Sequence, residues 1–240
     1  MGWNVAIAAV VIVGVVLVIF TRSNDTSSAG TGRPHAANPA TGEPGDHWHS
    51  YLGVNICGQW LDPVPSFETP VGAASGVQNA GIHSHGDGLI HTHPFVNAEE
   101  GNNATLGKYA NNGDWSVSSD SIDAWTGPKG DPGQTSWSNG DTCPFGKYKG
   151  EKGEIVWAVD GTARTGNPSD YRQRDGTTVA IGFLPKGTPL EFPPDACSAF
   201  ANISDQDVAA VLSANSPCRA ATTTTTPTAS TEAPTTTLAP

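Results

Sequence analysis

Apolar residues in this chain fall into one long run and many short ones. Residues 3–20, WNVAIAAVVIVGVVLVIF, carry no charge and one polar side chain, Asn4. As a helix this run would span about 27 Å, close to the ~30 Å hydrocarbon core of a bilayer, which predicts a transmembrane helix. It reads as a signal anchor that stays in the membrane. A cleaved signal peptide is the competing reading, with Ser27-Ser28-Ala29 as small residues for cleavage. No Lys or Arg precedes the run and Arg22 follows it, so charge bias does not orient it. Further along, short apolar stretches at 49–56, 81–85, 89–95, 154–159 and 177–184 predict strands. Gly86-Asp87-Gly88, Asn139-Gly140-Asp141, Asp160-Gly161 and Asp175-Gly176 supply the turns. This punctuation predicts a mainly β domain. Helix is expected chiefly near the end, where Ser204-Asp205-Gln206-Asp207 resembles an acidic cap opening a helix over 208–212. A second short helix or turn is expected over 118–125.

The polar segments set the boundaries. Residues 21–45 are rich in Gly, Ser, Thr, Pro and Asn, and from residue 220 the chain reads AATTTTTPTASTEAPTTTLAP. The tail has too little apolar surface to offset its ordering entropy and is expected to be disordered, like the Thr/Pro stalks of surface proteins. The organisation expected is an anchor over 1–22, a linker over 23–45, an extracellular β-rich domain over 46–218 and a disordered tail over 219–240. GPKGDPG at 127–133 resembles collagen triplets but is far too short for a triple helix, and is read as a loop. Trp48, Trp60, Trp115, Trp125, Trp137 and Trp157 are candidates for the core or a pocket wall.

Cysteine use agrees with export. The four cysteines, Cys57, Cys143, Cys197 and Cys218, form no C-x-x-C spacing. An even count behind an export signal predicts two disulfides, with three connectivities open. The favoured one is Cys57–Cys143, tying the two halves together, with Cys197–Cys218 stapling a terminal helix. The formal net charge of −11, from 12 basic and 23 acidic residues with no Lys/Arg cluster, argues against a nucleic-acid partner.

Six of the seven histidines form three His-x-His pairs: His47-Trp48-His49, His83-Ser84-His85 and His91-Thr92-His93. An i, i+2 pair on a strand points both rings to one face. If Gly86-Asp87-Gly88 is a three-residue hairpin loop, His83 pairs with His91, and His83, His85, His91 and His93 share a face opposite Ile82, Ser84, Ile90 and Thr92. A two-residue loop would separate the two pairs. His47 and His49 would approach from a neighbouring strand. Converging imidazoles suit Cu or Zn best, with Ni or Fe also compatible, and not Ca or Mg. Asp46 and Asp87 are candidate carboxylate ligands or ring-orienting acceptors.

HWHSYLGVNICGQW, GIHSHGDGLIHTHPF, GNNATLGKY and DGTTVAIGFLPKGTPLEFPP together resemble a group of membrane-anchored extracellular proteins of actinobacteria, over residues 46–194. That resemblance implies export and domain limits, and no activity. GIHSHGDG is also superficially similar to copper–zinc superoxide dismutases, which need a later histidine than any here. The cupin pattern lacks its glutamate, and the axial methionine of blue-copper proteins is missing. Asp170, Tyr171, Arg172 and Arg174 are polar enough to line a pocket, though a solvated loop explains them more simply. Three functions follow from the histidines. One is a membrane-tethered extracellular domain that binds the metal ion. Another is a metal-dependent enzyme, oxidoreductase or hydrolase. The third is a structural or interaction module without metal.

Overall fold

The computed structural model describes residues 32–73, 79–125, 133–204 and 211–219. The apolar run at 3–20, the expected cap and helix start at 205–210, most of the collagen-like stretch and the Thr/Pro tail lie outside these residues. Among the described residues no helix is long and apolar enough to cross a membrane.

The described part is mainly β with two short helices. Its principal sheet contains β1 (Trp48–Ile56), β2 (Gln59–Trp60), β3 (Ile82–Ser84), β4 (Leu89–Thr92), β8 (Gly153–Val159), β9 (Thr162–Arg164) and β10 (Thr178–Pro185). The strand order is β3-β4-β1-β10-β8-β9, with β2 on β1. Only the central β1–β10 pair is parallel; the others are antiparallel. A smaller sheet joins β5 (Ser116–Val117), β6 (Ser121–Asp123) and β7 (Trp137–Ser138). All five strands expected from the sequence are present.

Strand alternation separates the two faces of the principal sheet. Leu52, Val54, Ile56, Ile82, Ile90, Val179, Ile181 and Phe183 turn to one side. There they pack with helix α1 (Leu106–Asn112), Phe67, Trp115, Trp125 and Trp137 into the main core. Tyr51 and Leu89 turn to the other side, where they meet Ala196 and Phe200 of helix α2 (Ala196–Ala201). Helix α2 packs on that second face, and its end lies across from the histidine-bearing ends of β1 and β4. Trp115, Trp125 and Trp137 are buried as expected of core residues, whereas Trp48, Trp60 and Trp157 are half-buried.

Of the helix or turn expected over 118–125 the turn is found: Ser118 N donates to Ser121 O at 2.8 Å, closing a turn that leads into β6. The serines there bond their own backbone, a competition that disfavours helix. Helix α1 was not expected. Its cap is Thr105, whose Oγ1 accepts from Lys108 N at 3.1 Å, and its Gly, Asn and Tyr residues are weak helix formers. Burial of Leu106, Tyr109 and Ala110 stabilises it instead. Both disulfides form in the favoured pairing, Cys57–Cys143 and Cys197–Cys218. The second ties α2 to Cys218 on the second face.

Candidate metal centre

The hairpin has the odd loop that the histidine geometry requires. His83 pairs with His91 and Ile82 with Thr92, and His93 N donates to Gly81 O at 2.6 Å. Gly86 and Gly88 hold φ of 84° and 85°, backbone positions that favour glycine. Between them Asp87 Oδ1 accepts from Leu89 N at 2.9 Å, a side-chain turn that closes the loop. Ile82, Ser84, Ile90 and Thr92 are all buried on the opposite face, as the alternation predicts.

Strand β1 brings in the third pair. His49 lies opposite His91, so His83, His91 and His49 form a row across three strands. One step along, the His47 and His93 rings meet at a tilt with centroids 4.0 Å apart; at the loop end, His85 stacks on His91 at the same distance. All six histidines therefore reach one continuous patch. Within it, His47, His91 and His93 each offer a nitrogen within 4.8 Å of the other two and could hold a metal ion. A tetrahedral ion with bonds of ~2.05 Å holds its ligand nitrogens ~3.3 Å apart, so small ring rotations would close this set. His47 Nε2 and His49 Nε2 already lie 3.2 Å apart.

The surroundings disfavour the charged form of two rings, His93 and His83. Burial, then the charges that neighbouring His47, His83, His91 and His49 would carry, push His93 down to about 3. Burial likewise takes His83 down to about 4, against a raising hydrogen bond to Ala80. For Asp87 burial raises the carboxyl, but hydrogen bonds from His91 and Leu89 and the His91 charge outweigh it and hold the group below its usual range. Asp87 Oδ2 lies 3.1 Å from His91 Nε2, the carboxylate–imidazole contact that orients metal-binding histidines. Asp46 has a different role: its carboxylate pairs with His35 Nδ1 and accepts from His35 N, anchoring the incoming segment instead of facing the cluster.

The chain matches no protein-family model, no curated protein and no solved structure. Its chemistry must be read from the site alone.

The patch opens into a cavity of about 320 Å³. Histidines form one side; Ala199, Asn202, Ile203 and Ser204, at the end of α2 and just beyond it, form the other. Two groups support the histidines in roles that no local sequence signal states. Asp175 Oδ1 accepts from His49 N at 2.9 Å, and Gly176 N donates to His49 O at 2.8 Å, so the 175–176 turn grips β1 beside its ring. Glu68 reaches within 3.9 Å of His85 Nε2 from a proline-rich loop. Of the downstream residues considered for a pocket, Tyr171 is half-buried, with a 3.0 Å hydroxyl contact to Thr177 Oγ1. None of Asp170, Tyr171, Arg172 and Arg174 lines the cavity.

Proposed function

We propose that this chain presents a membrane-tethered, extracellular domain that binds a transition metal, copper or zinc, through its clustered imidazoles. One observation carries the reading. His93 Nε2 is buried and has no hydrogen-bond partner, although it sits among other imidazole nitrogens. Leaving a buried polar nitrogen unpaired costs about 1–3 kcal/mol, and a metal ion would use its lone pair. The all-nitrogen set with His47 and His91 favours copper or zinc over calcium or magnesium. The tether rests on the apolar run at 3–20, and export on that run, the Thr/Pro tail and the two disulfides. The same picture fits the resemblance to membrane-anchored actinobacterial proteins.

Elemental analysis of the purified full chain, wild type against His47→Ala/His93→Ala, tests the reading. Copper or zinc in the wild type and a lower content in the double variant are expected. No bound or titratable transition metal in the wild type would sink the proposal.

The cavity favours one second reading, a metal-dependent oxidoreductase or hydrolase. Three protein ligands beside a solvent-open space leave a coordination position for water or substrate. Exchangeable water on the bound ion supports that reading, and a ligand-saturated ion argues for binding alone.

A further inference from the structure

We propose that the patch holds a second transition-metal ion, bound by His83, His85 and Glu68 at the β3 edge. The inference rests on the metal-binding reading above and adds a separate site with a different donor set. His83 Nε2 and His85 Nε2 lie 3.1 Å apart, close to the ~3.3 Å edge of a tetrahedral zinc site. His83 is oriented for this role, because its Nδ1 lies 2.9 Å from Ala80 O. The neutral ring donates there and keeps its lone pair on Nε2, facing His85.

The third donor comes from the backbone register. Phe67 bridges Ser84 in antiparallel fashion, with Phe67 N donating to Ser84 O at 2.8 Å. Glu68 is therefore the residue opposite His83, and Ala80 N binds Glu68 O at 2.8 Å to hold it there. Partners across an antiparallel bridge share a face, so the row His49–His91–His83 gains a carboxylate at its outer end. Glu68 Oε1 is 3.9 Å from His85 Nε2. Both side chains are exposed, at 66% and 45%, so rotation about their torsions can carry the carboxylate towards the His83–His85 pair. The first set, His47, His91 and His93, belongs to β4 and the start of β1; the second belongs to β3 and the 67–68 bridge. Two imidazoles and a carboxylate suit zinc, nickel or ferrous iron. The Glu68 charge, with that of Asp87 beside His91, offsets the repulsion of placing two dications in one patch.

The test is zinc stoichiometry. The full chain, purified in mild detergent and stripped with a chelator, is loaded with zinc sulfate, passed over gel filtration and assayed for zinc per chain. Two equivalents are expected in the wild type. Glu68→Gln and His85→Ala, both at exposed positions, should each retain one, and His47→Ala should also retain one. A wild type that saturates at one equivalent, or two equivalents kept in both Glu68→Gln and His85→Ala, overturns the second site and leaves the first standing. No uptake at all overturns both.

Discussion

His93 shows how burial selects a protonation state. Its ring is held near 3 and that of His83 near 4, whereas both titrate near 6.5 in an unfolded chain. Between those values the unfolded chain takes up protons that the folded chain refuses, so the contribution of these rings is full above pH 6.5 and is lost as pH falls. Denaturant midpoints of the metal-free protein should therefore drop between pH 6.5 and 4. The drop should be smaller in His93→Gln. A wild-type midpoint that is flat over this range would show that the rings are not held neutral. Asp87 allows a cleaner substitution. Asp87→Asn keeps an oxygen for Leu89 N and so preserves the loop, but removes the charge opposite His91 Nε2. Loss of such an orienting carboxylate typically weakens metal affinity by about 10–100-fold, which a competitive zinc titration would read directly.

At the scale of the element, the hairpin is held by Gly88. A Cβ there would approach Tyr51 Cε2 to 2.6 Å, at a backbone φ of 85°. Gly88→Ala is expected to cost about 1–3 kcal/mol from strain and overpacking, measured by chemical denaturation. It should also weaken metal binding, since the loop sets the register of His91 and His93 against His83. The hairpin was legible in the sequence because alternation and glycine placement are local signals. With the loop parity chosen, the shared face of four histidines followed. The β1 contribution was legible as a pair but not as a register, because nothing local states that His49 lies opposite His91. Helix α1 was hidden for the opposite reason. Its residues are poor helix formers, and the burial that stabilises them comes from distant strands. Glu68 and Asp175 were out of reach on the same ground, since each acts through a pairing set by the tertiary fold.

At the scale of the molecule, the expected mainly β class holds across the described residues and both disulfide pairings form, while the division of labour between sheet faces emerged only in three dimensions. One face carries the apolar core; the other is shared between α2 and the histidines. The Cys57–Cys143 bond joins residues 86 apart and connects β1 to the segment before β8. Constraining so long a loop is worth roughly 2–5 kcal/mol, so Cys57→Ser/Cys143→Ser should lower the thermal midpoint by several degrees or more. An unchanged midpoint would contradict the stabilising role given to this bridge. Cys197–Cys218 is placed differently, against the helix that walls the cavity, and its loss should loosen that wall more than the core. The central claim is that imidazoles of this patch ligate a metal ion. X-ray absorption at the zinc edge of the loaded full chain tests it most directly. The account predicts nitrogen scatterers at ~2.0–2.1 Å with the outer-shell pattern of imidazole rings, lost in His47→Ala/His85→Ala/His93→Ala. A first shell of oxygen alone, or imidazole scattering unchanged in that variant, would contradict it.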